Sequence, residues 1–343
     1  MNPYSRPKVL LVLGLFLLFF TFSLYWFLFR PPSDASLTKV IYIKKGLPLS
    51  KISAMLEQEG IIRNRHFFVA IATILGKKTG IKAGEYEFHT RMFPLEVLSI
   101  LVKGQVKLHL VTIAEGYTLH QIAQILEELN IVDRHAFLQK SSSPAFISSL
   151  GLPTEVGSTL EGYLFPDTYH LFKGMDPEQV IQIMVRQFQK VFNADLTNMA
   201  SQLGISQREA VILASIIEKE ASLSEEKPLI SAVLQNRLKK KIPLQSDPTV
   251  IYGIKNFNGN LTKEDLLRPN PYNTYLMIGL PPTPICNPGK DSILAALSPA
   301  PVPYLYFVSK NDGSHYFSAD IEEHNQAVGK YQKYPRKNSL TKK

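Results

Sequence analysis

A repeat constrains a fold more tightly than composition does, because both copies must satisfy one structural plan. Ile43, Gly46, Leu49, Ile52, Leu56, Ile61 and Phe67 recur 70 residues later as Ile113, Gly116, Leu119, Ile122, Leu126, Ile131 and Phe137. In each copy a β-rich segment, Val40 to Ile43 or Leu108 to Ile113, precedes a glycine turn. The leucines and isoleucines that follow are spaced by three and four, the period of an amphipathic helix. The spacing therefore predicts two small β-α units. Ile81-Lys82-Ala83-Gly84-Glu85-Tyr86 reads as a further turn and strand leading toward the second copy, and Lys103-Gly104 as another turn.

No charged residue occurs from Val9 to Phe29, a run of about the 20 residues that a helix needs to cross the hydrocarbon core of a bilayer. Arg6 and Lys8 precede it on a short tail, which assigns residues 1–8 to the cytoplasm, residues 9–29 to a single span and everything after Arg30 to the outside. The alternative is a cleaved signal peptide with Ser33 and Ala35 at its cleavage site; the length of the run and Pro31-Pro32 directly after it weigh against that. At 343 residues and 45% hydrophobic content the chain can bury one substantial core and a smaller one. The net charge of +9 and pI near 9.3 raise the question of nucleic acid. The basic residues are scattered, though, and no helix-turn-helix, zinc-finger or aromatic RNA-binding pattern occurs, so the expected anionic partners are lipid headgroups or acidic wall polymers. Residues 331–343 read as a basic, disordered tail. A single cysteine, Cys286, allows no internal disulfide. The dispersed histidines show no metal-ligand spacing, so no metal and no cofactor is expected.

The run Val211-Ile212-Leu213-Ala214-Ser215-Ile216-Ile217 leads into Glu218-Lys219-Glu220. Ser206 with Glu209 three residues on forms a capping box, and the segment is apolar on every face, which predicts a buried helix. A carboxyl group at its end, held against apolar walls, keeps its proton near neutral pH and can act as an acid. Glu218 is the favoured candidate because its helical neighbours Ala214, Ser215, Ala221 and Ser222 are small and leave room for a substrate. Glu220, among Ile216, Ile217, Leu223 and Ser224, reads instead as a partner in a structural ion pair.

Three polar-aromatic clusters follow the repeat: Glu161-Gly162-Tyr163-Leu164-Phe165-Pro166-Asp167-Thr168-Tyr169, Leu244-Gln245-Ser246-Asp247-Pro248-Thr249-Val250-Ile251-Tyr252-Gly253, and Asn270-Pro271-Tyr272-Asn273-Thr274-Tyr275 running into Gly279-Leu280-Pro281-Pro282-Thr283-Pro284-Ile285. Flat aromatic faces and short polar side chains are what a carbohydrate site uses. Together with Ala214 to Glu220, Asn287-Pro288-Gly289, Tyr304 to Val308 and Gly313-Ser314-His315, these runs resemble the YceG-like family of endolytic murein transglycosylases over nearly the whole chain. Thr283 stands where a glycine is common in that family. The turns Gly46-Leu47-Pro48-Leu49-Ser50-Lys51-Ile52 and Gly116-Tyr117-Thr118-Leu119-His120-Gln121-Ile122 also resemble those of LysM-like modules, which bind N-acetylglucosamine-containing glycans. A spacer that holds the later domain off the bilayer fits the repeat as well.

The family resemblance implies a lyase anchored in the inner membrane, with its bulk in the periplasm, that cuts nascent peptidoglycan strands internally and ends their elongation. Its partners would be glycan strands and the synthases that extend them. It implies that Glu218 is the catalytic residue, protonating the glycosidic oxygen and then accepting the proton of the muramic C6 hydroxyl, so that a 1,6-anhydro end forms without water. Gln245, Ser246, Asp247, Tyr272 and Asn273 are the candidates for positioning the sugar, with Glu161 and Asp167 beside them; Asp167 after Pro166 also reads as a cap or turn residue. The rival readings are a muramidase pairing Glu218 with Asp247 or Glu161, and a non-catalytic, membrane-tethered glycan-binding scaffold. The expected fold is α+β: an anchor helix, a LysM-like β-α repeat region over residues 38–140, and a larger mixed domain over residues 155–330, with strand candidates at Val250 to Tyr252 and Tyr304 to Val308.

Overall fold

The computed structural model describes residues 6–33, 35–153 and 158–333, and the chain divides into two compact units: Met1–Leu110 with His170–Met175, and Val111–Tyr169 with Asp176–Lys343. The tails expected at either end fall largely outside the described residues. The fold is α+β, and each strand among the described residues belongs to a two-stranded sheet.

The first unit contains α1 (Arg6–Phe29), β1 (Thr38–Ile43), α2 (Leu49–Gln58), α3 (Arg65–Ile74), β2 (Gly84–His89) and α4 (Pro94–Lys103). The side chains of α1 are described over residues 11–26, where its leucines and phenylalanines are exposed. Among the described residues no helix is long and apolar enough to cross a membrane; the span expected over Val9 to Phe29 rests on the sequence alone. β1 and β2 pair antiparallel, with Ile41 opposite Tyr86 and Ile43 opposite Gly84. Alternation along β1 and β2 puts Ile41, Ile43, Tyr86 and Phe88 on one buried face, against Ile52 and Leu56 of α2 and Leu101 of α4. Asn64 caps α3 by accepting from the Phe67 amide at 3.0 Å, and Gly104, at φ +68°, ends α4.

β3 (His109–Thr112) and β4 (Thr168–Leu171) pair, and the division between the units falls inside both strands. The second unit continues through α5 (Leu119–Glu128), α6 (Arg134–Ser141), α7 (Pro144–Ser149), α8 (Pro177–Val191), α9 (Ala194–Leu203), α10 (Gln207–Glu220), α11 (Lys227–Lys239), α12 (Asp247–Tyr252), α13 (Lys263–Leu267), α14 (Lys290–Leu297), the antiparallel pair β5 (Tyr306–Ser309) and β6 (His315–Ser318), and α15 (Ile321–Val328).

Both copies of the repeat are built as the spacing predicts. A strand leads to a glycine in the left-handed region, Gly46 at φ +83° and Gly116 at φ +77°, and a ten-residue helix follows in each, α2 and α5. Leu49, Ile52 and Leu56 are buried in one copy and Leu119, Ile122 and Leu126 in the other. The helix of the first copy, α2, belongs to the first unit and that of the second, α5, to the second unit. The strand expected at Val250 to Tyr252 is instead the end of α12. Pro248 fixes a helical φ in the first turn and Asp247 favours the helix N-terminus, and together they outweigh the β-branched Val250 and Ile251. The strand expected from Tyr304 starts at Tyr306.

α10 is the buried centre of the second unit. The capping box forms: Ser206 Oγ accepts from the Glu209 amide at 3.2 Å, and the Glu209 carboxylate accepts from the Ser206 amide at 2.7 Å. Every residue from Ala210 to Ile217 is buried, against α9, α11, α12 and α14. The turn before β4 packs on the same helix at Gly162. This glycine has φ +89°, and a Cβ there would stand 2.5 Å from Pro284 Cγ and 2.9 Å from Val211 Cγ1. Gly162→Ala is therefore expected to cost about 3 kcal/mol, from left-handed strain plus overpacking, read as a fall in the denaturant midpoint at unchanged m-value. A variant as stable as the wild type would show that this turn is not pinned against α10.

Candidate active site

Successive residues of a helix are about 100° apart, so side chains two positions apart point to nearly opposite sides. Glu218 and Glu220 consequently enter different surroundings. The Glu218 carboxylate is nearly buried, and Oε2 accepts from the Gly289 amide at 3.0 Å, Ser292 Oγ at 2.6 Å and Lys227 Nζ at 3.5 Å. It thus sits at the N-terminus of α14, where a negative charge suits the helix dipole. Lys227 is itself buried and also faces the Glu115 carboxylate at 3.9 Å. Burial, then the nearby Glu218, push the Glu115 carboxyl above the usual range, while Lys227 pulls it down. A Cβ on Gly289 would meet the Glu115 carboxyl, the far end of a half-exposed side chain.

Glu220 points the other way, at the segment that enters α12. Its Oε1 accepts from Ser246 Oγ at 2.5 Å. Burial pushes the Glu220 carboxyl up to about 7, with Ser246 drawing it down and Asp247 raising it further. Glu220, Arg237, Leu244, Gln245, Asp247, Tyr275, Phe307 and His324 line a cavity of about 280 Å³. Tyr275 donates its hydroxyl to Asp247 Oδ1 at 2.6 Å. Gln245 holds φ +53°, a left-handed conformation that a non-glycine residue adopts at a cost of about 1 kcal/mol or more. It is kept there by its amide on the Thr274 carbonyl at 3.0 Å and by Arg237 Nη1 on its Oε1 at 3.1 Å. The Ser246 amide is fixed by Thr274 Oγ1 at 3.0 Å, and Thr274 Oγ1 lies 2.8 Å from Thr249 Oγ1. These contacts hold the strained Gln245 backbone in place.

The sugar-site candidates therefore separate. Gln245, Ser246 and Asp247 come together, and they gather around Glu220 rather than Glu218. Asn273 is fully buried and donates to the Leu266 and Arg268 carbonyls, so it shapes its own loop. Tyr272 is half-buried; its ring meets Tyr252 edge-on at 4.9 Å and its hydroxyl lies 2.9 Å from Thr283 Oγ1. Asp167 is an exposed turn residue that accepts from the Thr168 amide at 2.7 Å and from Gln187 at 2.7 Å.

Glu161 lies inside the protein, 1% exposed. Both its oxygens accept from the Leu119 amide, at 2.9 and 3.1 Å, and it also takes Tyr252 Oη at 3.0 Å and Asn287 Nδ2 at 3.1 Å. Asn287 in turn accepts from the Gly162 and Leu164 amides and donates to the Tyr117 carbonyl. This pair ties the start of α5, the turn before β4 and the loop before α14 into one knot. Arg237, Tyr275 and His324 of the cavity wall were absent from the sequence-based candidate set. A lone arginine on an ordinary helical stretch and a lone histidine on α15 carry no motif.

The model of the YceG-like family matches residues 41–330. An endolytic murein transglycosylase of Bacillus subtilis is 32% identical over 313 residues, covering 87% of this chain and 86% of that protein. One of Streptococcus pneumoniae is 30% identical over 333 residues, covering 88% of this chain and 60% of that protein. A crystal structure of a YceG-like protein from Listeria monocytogenes is 32% identical and superposes with a TM-score of 0.59, covering 85% of this chain and 100% of that one.

Burial pushes the Glu161 carboxyl up to about 7, against the pull of its hydrogen bonds to Leu119, Tyr252, Gly162 and Asn287. The folded protein thus holds a proton that the unfolded chain releases near 4.5. The resulting stability is fully present below that pH and is lost as the pH rises through about 7. Compared with Glu161→Gln, which has no such proton, the unfolding free energy of the wild type should fall by about 3 kcal/mol between pH 4.5 and 7.5. Parallel pH profiles for the two proteins would contradict this placement of Glu161.

Proposed function

The chain belongs to the YceG-like family, and we propose that it is an endolytic murein transglycosylase, a lyase that cuts peptidoglycan glycan strands internally with Glu220 as its acid and base. The observation that carries this reading is the cavity in which a buried carboxyl, pushed up to about 7, faces Gln245, Asp247 and Tyr275. A group poised near the working pH can both give and take a proton.

In this mechanism protonated Glu220 delivers its proton to the glycosidic oxygen between N-acetylmuramic acid and N-acetylglucosamine, and the bond from muramic C1 to that oxygen breaks. The Asp247 carboxylate and the substrate acetamide stabilise the positive charge at C1. Glu220, now ionised and held by Ser246, takes the proton of the muramic C6 hydroxyl as that oxygen bonds to C1. The products are a free N-acetylglucosamine hydroxyl and a 1,6-anhydro end, with no water consumed. Gln245 and Tyr275 position the sugar. Glu218, tied to Lys227 and the start of α14, fixes the end of α10 instead of meeting the substrate.

A second reading, a muramidase, is favoured by the second carboxylate in the same cavity, since Asp247 could activate a water where the lyase uses the C6 hydroxyl. The uncharged run from Val9 to Phe29 supports an inner-membrane anchor with the two units in the periplasm. There the chain would cut strands as synthases extend them and so end their growth. The β-α repeats fit LysM-like glycan-binding modules.

Glu220→Gln should lower kcat on defined uncrosslinked strands at least about 100-fold, whereas Glu218→Gln should keep activity within about 10-fold and lose thermal stability. Products of the wild type should weigh one water less than hydrolysis products. An inactive Glu218→Gln beside an active Glu220→Gln would return the acid role to Glu218, and products carrying the added water would favour the muramidase.

A further inference from the structure

Arg237 is 7% exposed and lies in the wall of the cavity that holds Glu220. Its Nε donates to the Leu305 carbonyl at 2.6 Å, and its Nη1 donates to the carbonyls of Pro243 and Leu244 and to Gln245 Oε1 at 3.0 to 3.1 Å. The guanidinium lies 5.0 Å above the Tyr306 ring. All of these partners are neutral. Among the described residues no carboxylate stands within ion-pair distance of Arg237, and its protein acceptors engage Nε and Nη1. A buried guanidinium without a counter-ion is costly, and proteins retain one where a ligand supplies the missing anion. In the same wall His324, whose ring stacks on Tyr306 at 5.1 Å, has a buried Nδ1 with no hydrogen-bond partner. The wall from Arg237 to His324 thus holds a guanidinium without a counter-ion and a ring nitrogen without a partner, whereas the wall formed by Glu220, Asp247 and Tyr275 is internally bonded.

We infer that the Arg237–His324 wall is a subsite for a carboxylate carried by the glycan strand, so that the enzyme discriminates strands by the charge on their substituents. This rests on the reading of the cavity as the cleavage site. Peptidoglycan offers carboxylates on its stem peptides and, where stems have been removed, on the lactyl group of muramic acid. Both are planar anions that suit an arginine held at a fixed angle. The site is compatible with the acid beside it, because Glu220 is neutral when ready to react and Asp247 is engaged by Tyr275.

The test compares uncrosslinked strands whose stem peptides carry a free α-carboxylate at the second residue with strands amidated there, and with stem-free strands bearing the lactyl carboxylate. For the wild type, kcat/KM should be about 10-fold higher on one of the two anionic strands than on the amidated strand, mainly through KM. The anionic strand that is preferred identifies the source of the carboxylate. Arg237→Gln should act on all three alike. Because Arg237 also holds the 243–245 segment, His324→Phe serves as the second variant: it keeps the stacking on Tyr306 and should reduce the preference without a change in Tm. Binding of the free, anionic stem tripeptide is followed in parallel by calorimetry. Equal cleavage of all three strands by the wild type overturns the subsite and leaves the lyase reading intact. No cleavage of any strand, with the tripeptide bound and its binding lost in Arg237→Gln, overturns the lyase reading and retains the subsite; neither cleavage nor binding overturns both.

Discussion

The arrangement of the second unit depends on burying a helix that is apolar all round. Residues 210–217 of α10 have no solvated face, so the helix cannot rotate or slide without exposing large side chains, each worth about 1.5 to 3 kcal/mol of burial. That fixes the azimuth of whatever follows Ile217. Two carboxylates separated by one residue then have to be accommodated on opposite sides, and the protein solves the two problems differently. One side meets a helix N-terminus and a buried lysine. The other meets a serine hydroxyl and a neighbouring aspartate across a small cavity, a setting that favours a proton. The same helix thus carries two carboxylates in two different settings, one fastened to α14 and one facing a cavity.

The walls of that cavity are rigid for reasons visible in the backbone. Gln245 sits in the left-handed region with its amide on Thr274, Ser246 is bound through its amide by the Thr274 hydroxyl, and Arg237 donates to three successive residues, Pro243, Leu244 and Gln245. Behind it, Glu161 and Asn287 join α5, the turn at Gly162 and the loop that leads to α14. Catalysis by a single proton-transferring group needs this kind of support, because the acid must stay within hydrogen-bond reach of an oxygen whose position the sugar, and not the protein, finally sets.

Local periodicity made much of the fold legible. The repeat, the two glycine turns, the capping box at Ser206 and Glu209 and the buried course of α10 all follow from residues within a few positions of one another. The surroundings of the two glutamates depend on contacts at long range. The small residues beside Glu218 were read as room for a substrate, but that room is occupied by the chain itself: Ser215 Oγ accepts from the Ile285 amide at 3.0 Å and the Cys286 thiol reaches the Ser215 carbonyl. Small residues on this face serve close packing of the 285–292 segment, which brings Gly289 and Ser292 onto Glu218. Glu220 looked crowded because its neighbours one turn back are isoleucines. Those isoleucines point into the core, while the carboxyl lies at the helix end, where the 244–247 segment arrives from elsewhere in the sequence. Val250 and Ile251 misled in the same way, since β-branching is a weaker signal than the Asp247-Pro248 helix start.

The central claim is that Glu220 works as a buried acid whose affinity for its proton is set jointly by burial, Asp247 and Ser246. The pH dependence of kcat/KM on defined glycan strands tests it most directly, for the wild type and for Ser246→Ala. The wild-type profile should fall on its alkaline side near pH 7, where the Glu220 carboxyl loses its proton. Removing the hydroxyl that stabilises the ionised form should move that limb to higher pH. An alkaline limb that does not move in Ser246→Ala, or that persists unchanged in Glu220→Asp, would contradict the account.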